Sequence, residues 1–162
     1  MPADDPLRAR LLSLLDGKGA RVPFADATAG VPPALQGRRP EGLPYAPWEL
    51  VEHVRLAQRD ILDYCRPDSE YALPDWPGDY WPPTPAPPYD DAWEEARAQF
   101  AEDREALRTL VRESEALHAP VPHAQREAHT LVRQVLLVAD HTSYHTGQIV
   151  AARRLLGCWD GS

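Results

Sequence analysis

Residues 131–157 read LVRQVLLVADHTSYHTGQIVAARRLLG. This stretch decides the fold. On a helix of 3.6 residues per turn, Leu131, Val138, His145, Ile149, Ala152 and Leu156 fall on one stripe, with His141 at its edge. No proline interrupts the run, and Gly157 supplies a stop. The periodicity predicts a core helix from about Glu127 to Leu156. Both imidazoles then point inward one turn apart, with Cβ atoms roughly 5–6 Å from each other. A buried helix has no use for two imidazoles on one turn unless something pairs with them.

Working outward, helical signals dominate. DDPLRARLLSLLDGKG (4–19) offers an aspartate cap, Pro6 at the first helical position, leucines at 7, 11, 14 and 15, and a stop at Gly17. A shorter helical turn is expected within FADATAGVPPALQG (24–37). PWELVEHVRLAQRDILDYCR (47–66) opens on Pro47 and runs about five turns before Pro67. DDAWEEARAQFAEDREALRTLVRESEALH (90–118) places Asp91 and Glu94 at capping-box spacing, and Trp93, Ala96, Phe100, Leu107, Leu110 and Leu117 on one face.

Between the second and third long helices lies RPDSEYALPDWPGDYWPPTPAPPY (66–89). Its prolines exclude a helix or a central strand. A disordered linker is one reading, but Tyr71, Trp76, Tyr80, Trp81 and Tyr89 favour a flap ordered against the bundle. Trp76, Tyr80 and Trp81 are the expected pins, and candidates for a pocket wall. No β-branched run alternates long enough for a strand. The expectation is an all-α four-helix bundle, one domain over residues 1–162.

The charge is acidic, net −8, with 17 basic against 25 acidic residues. The arginines are interspersed with Asp and Glu, which disfavours binding to a phosphate backbone, so no nucleic-acid partner is expected. Cys65 and Cys158 lack metal or redox spacing and read as free thiols suited to a reducing cytoplasm. The opening MPADDPLRAR has no secretory apolar core, and no run approaches the roughly 20 residues of a membrane span. A cytoplasmic location without membrane contact is expected.

Two histidines on one turn can close onto one ion but seldom hold it alone. His53 is the candidate third ligand, on the stripe Leu50, His53, Ala57, Ile61, Tyr64 of the second long helix. Three imidazoles would leave positions open for water or substrate, the pattern of a catalytic site. Zinc suits such donors, as do nickel and other imidazole-binding metals. The competing reading makes them surface or helix-end histidines. Thr142 and Tyr144 stand where HExxH would carry its glutamate region, so a zincin protease is not supported.

The chain resembles the DinB/YfiT-like superfamily along nearly its whole length. The likeness rests on GRRPEG (37–42), PWELVEH (47–53), the WP…YWP…PP flap (76–88) and LLVADHTSYHTGQIVAARRLLG (136–157). It implies an up-down-down-up bundle holding one divalent metal on His53, His141 and His145, with zinc or nickel first and manganese or iron as further candidates. It also implies a homodimer and a small-molecule substrate. Relatives resemble bacillithiol- or mycothiol-dependent S-transferases, with a low-molecular-weight thiol as partner, or metal-dependent hydrolases. A stress-linked bundle that binds a metal or small ligand without turnover is the alternative. The catalytic residues stay open.

Other polar residues carry weaker expectations. Glu52 faces solvent or the cavity rim, and Asp140 faces solvent or another helix. Asp103 interrupts an apolar stripe, at its edge or as a carboxylate behind an imidazole. Tyr144 and Gln148 flank the histidine pair and could line its approach. His123 lies on a proline-bounded loop able to fold over the cavity, while His118 and His129 read as helix-end or surface residues.

Overall fold

The computed structural model describes residues 6–17 and 19–161. Six α-helices follow in order: α1 Pro6–Leu15, α2 Phe24–Thr28, α3 Pro33–Gln36, α4 Pro47–Cys65, α5 Ala92–Glu113 and α6 Leu131–Leu155, with one 3-10 turn at Gly78–Tyr80. Among the described residues there is no strand, only an isolated bridge between Pro120 and Thr130. The all-helical expectation is met. None of these helices is long and apolar enough to cross a membrane.

The four long helices pack in a ring of contacts. Helix α4 lies against α5 and α6, and α1 lies against the same two. One apolar cluster joins Trp48, Leu50, Val51 and Val54 of α4 to Trp93, Ala96 and Phe100 of α5 and to Ile149 of α6. A second joins Leu11 and Leu15 of α1 to Leu62, Leu107, Val111, Leu131, Val135 and Val138. Along α6, the histidines fall between Val138 of the second cluster and Ile149 of the first.

Between these clusters, Arg104 ties all four long helices together. Its Nε donates to Gln58 Oε1 at 2.5 Å, Nη1 to the Leu15 carbonyl at 2.7 Å and Nη2 to Thr142 Oγ1 at 3.1 Å, while its guanidinium lies 4.6 Å over the Phe100 ring. Arg21 donates to the Leu14 carbonyl and Arg108 to that of Leu12. Three guanidinium groups therefore meet carbonyls of the last turn of α1, where the helix dipole is negative.

Several boundaries differ from expectation, each for a local reason. Helix α6 begins at Leu131 rather than Glu127, because Thr130 is the true cap and its side chain accepts the Arg133 N–H. Asp91 makes no side-chain cap bond to α5, so the expected Asp91–Glu94 box does not form. The box-like contact is on α4 instead, where Glu49 accepts the Ala46 N–H at 2.8 Å while Arg39 donates to both its oxygens. Helix α5 stops at Glu113, and Leu117 is buried from the following loop. The 24–37 stretch splits into α2 and α3 around Gly30, at φ 66°. The expected aspartate cap of α1 lies outside the described residues.

The proline-rich segment is fastened at both ends. Tyr71 and Tyr80 donate their hydroxyls to Asp60 of α4 at 2.9 and 2.8 Å. Ala86 packs so closely on Gly37 that a Cβ there would fall 2.4 Å from its own. The Trp76–Pro77 peptide is cis.

Candidate metal centre

Helices α4 and α6 bring His53, His141 and His145 together, each offering one ligand nitrogen within 4.8 Å of the others. The ring centroids lie 4.8 Å apart for His53–His141, 4.6 Å for His53–His145 and 4.5 Å for His141–His145. His53 and His145 are buried, at 3% and 7% exposure. Residues 88 positions apart in the chain thus meet because two apolar stripes pack face to face.

The outer nitrogens are fixed by acceptors. His53 Nδ1 stands 2.7 Å from the Tyr80 carbonyl, which can only accept, so the proton sits on Nδ1 and Nε2 carries the lone pair. His145 Nδ1 donates likewise to Gln148 Oε1 at 2.7 Å. Gln148 is held in turn by its amide, 3.4 Å from the Tyr144 hydroxyl. The Trp81 ring lies flat on His53, at 3.9 Å and 4°, and Tyr45 stacks behind Trp81 at 4.5 Å.

His53 Nε2 and His141 Nε2 face each other at 3.0 Å. Two nitrogens bound to one ion at about 2.0–2.1 Å stand roughly 2.9–3.4 Å apart for angles between square and tetrahedral. The donor set, and the spacing of this pair, are therefore compatible with one divalent cation.

Electrostatics agree. Burial lowers the pKa of all three rings. His141 falls furthest, to about 4, through burial first and then the charges of His145 and His53. His53 is lowered by burial against the opposing Tyr80 carbonyl, and His145 by burial and His53 against Gln148. The lowering favours the neutral form of each ring, the state that ligates metal.

The centre opens on a cavity of about 950 Å³. Tyr45, Trp76, Tyr80, Trp81 and Tyr144 form its aromatic lining, Leu73, Ile61 and Leu137 its aliphatic part, and Asp60 and Gln148 its polar part. Tyr144 is exposed and packs its ring 4.9 Å from that of His145. Tyr80 and Trp81 pin the segment to α4 as expected, through Asp60 and His53, whereas Trp76 is exposed and packs on Tyr80 of the same segment; all three wall the pocket.

Other candidates lie elsewhere. Asp103 is buried but accepts from Arg59 at 2.9 Å, not from an imidazole; burial pushes its pKa up and Arg59 opposes. Glu52 pairs with Arg55 one turn on, and Asp140 is exposed. His123 sits against Ser69 and the Arg66 carbonyl, away from the cavity, and His129 takes the Tyr64 hydroxyl. His118 is exposed. Sequence reasoning missed Asp60, although its place seven residues after His53 on one helix face was a usable signal. It also missed the Tyr80 carbonyl, for which a backbone atom gives no sequence signal.

Against known proteins, no curated protein and no solved structure matches the chain. A family profile of the DinB superfamily, DinB_2, matches residues 18–149, a span that contains all three histidines. With that match over most of its length, the chain belongs to the DinB superfamily.

Proposed function

We propose that this chain is a divalent-metal-dependent enzyme in which His53, His141 and His145 hold one ion and which activates a thiol for S-transfer, with water activation for hydrolysis as a variant of the same chemistry. The observation that carries it is the convergence of three imidazoles beside a large, mostly apolar cavity. Bound on neutral ligands, such an ion keeps its full charge and supplies Lewis-acid chemistry, lowering the pKa of a thiol or water near it. Zinc or nickel suits the nitrogen donors best, with manganese and iron as further candidates.

The chain's own residues do the rest. The Tyr80 carbonyl and Gln148 set the orientation of His53 and His145 and raise their basicity. Trp81 seals one face of His53 from water. The aromatic walls suit an apolar electrophile, whose carbon would form the new bond to sulfur as its leaving group departs. A non-catalytic, stress-linked binding protein is the second reading. It draws support from Asp60, the one carboxylate of the lining, being engaged by two tyrosine hydroxyls instead of standing free as a base.

The up-down-down-up helix order, the homodimer and the cytoplasmic location belong to the same proposal; light scattering on the purified protein reads the dimer. For the reaction, zinc- or nickel-loaded protein is assayed with low-molecular-weight thiols and a chloronitroaryl electrophile, and with ester substrates. Metal-dependent turnover lost in His141→Ala supports the enzyme. No rate above background in either assay, with metal bound, leaves the binding protein.

A further inference from the structure

The cavity beside the histidines has an unusual charge inventory. Among the described residues sixteen line it; none is Lys or Arg, and one, Asp60, is a carboxylate. Asp60 has no ion-pair partner among the described residues, since the adjacent Arg59 turns to Asp63 and Asp103. What holds Asp60 is neutral: the Tyr71 and Tyr80 hydroxyls, one on each oxygen. A carboxylate has about four acceptor positions, so two such bonds orient it and leave capacity on both oxygens. The bonds leave its negative charge in place. Burial and Asp60 together push both tyrosines well above their ordinary pKa, so they remain donors throughout the physiological range.

The surroundings suit a positive guest. Trp76 and Tyr80, with ring centroids 5.4 Å apart, line the same cavity, and aromatic faces attract cations. Asp60 lies seven residues beyond His53 on α4, roughly 10 Å along the axis. Ala57, between them, and Ile61, just beyond, keep the neighbouring surface apolar.

We propose that this cavity takes an organic cation: an amine or quaternary ammonium on an apolar or aromatic body, with its charge at Asp60 and its other end at the three histidines. Anionic molecules are repelled from the Asp60 end. The assignment deepens the metal-centre reading and rests on it only for the end at the histidines.

Binding is measured by calorimetry on metal-loaded protein and on chelator-stripped protein, with metal content determined in parallel. The probes are phenylpropyl-trimethylammonium, whose nitrogen cannot coordinate a metal, neutral phenylbutanol and anionic phenylbutyrate. The ammonium is expected to bind about tenfold or more tighter than the alcohol in both protein forms, and the carboxylate weakest in the stripped form. Asp60→Asn removes the preference for the ammonium and leaves phenylbutanol unchanged. Equal affinities, a carboxylate preference in the stripped form, an unaltered preference in a folded Asp60→Asn protein, or no ammonium binding at millimolar concentration overturns the proposal. Because wild-type stripped protein reports the charge preference without metal, failure of the metal centre and failure of the cation site give different results.

Discussion

At the scale of single residues, the atoms behind the histidines matter as much as the histidines. Gln148 accepts the Nδ1–H of His145, which aims Nε2 at the centre and fixes its tautomer. Removing such a partner typically weakens metal binding about 10–100-fold. Gln148→Ala should therefore retain a site of lower affinity, whereas His145→Ala should lose it; competition with a fluorescent chelator distinguishes the two. Equal affinity in Gln148→Ala and wild type would remove Gln148 from the account. Cys65 makes a separate prediction. Burial, with Asp60 nearby, pushes its thiol up to about 12. Its folded pKa lies above the unfolded value, so the neutral thiol stabilises the fold below the unfolded pKa, and that contribution is lost as pH rises towards 12. At pH 8 roughly one molecule in ten thousand carries a Cys65 thiolate. Iodoacetamide at that pH should leave Cys65 unmodified in mass spectra of the native protein and label it once urea unfolds the chain.

At the scale of elements, polar side chains lock helices that apolar stripes bring together. Arg104 is buried without a carboxylate partner among the described residues, and burial followed by Arg21 lowers its pKa to about 9. Losing that buried charge offsets part of the damage in Arg104→Met, yet three buried acceptors on α1, α4 and α6 would lose their donor. At about 1–3 kcal/mol for each orphaned group, the loss wins. We expect Arg104→Met to be about 2–4 kcal/mol less stable by urea unfolding. Stability equal to wild type would show that α1 needs no such clamp. The GRRPEG motif acquires a physical meaning at the same scale. Gly37 lets Ala86 of the proline-rich segment approach, and Arg39 pairs with the Glu49 that caps α4. Gly37→Val overpacks this contact, at a cost of about 1–3 kcal/mol. It should also speed proteolysis within residues 82–89, which limited digestion would reveal.

At the scale of the whole molecule, the long helices and the three histidines were legible because each was written as a local period. Leu50, His53 and Ala57 on α4 and Val138, His145 and Ile149 on α6 announce their buried faces without any tertiary information. Their convergence was not local and needed the structure. Asp103 was ambiguous because one acidic residue in an apolar stripe has several possible partners, and Arg59 settled it. The Tyr80 carbonyl was invisible, since any residue carries one. If the histidines hold an ion, folding and binding are coupled. Metal at a hundredfold excess over its Kd should stabilise the protein by about 2.7 kcal/mol. For a chain of this size, that raises Tm by roughly 5–10 °C over chelator-treated protein, as a thermal shift assay would show. The most direct test is elemental analysis of purified wild-type protein beside folded His53→Ala, His141→Ala and His145→Ala variants. The account predicts about one equivalent of divalent metal in wild type and its loss in each variant. A folded wild type that takes up no metal when supplied, or variants that keep the full equivalent, would contradict it.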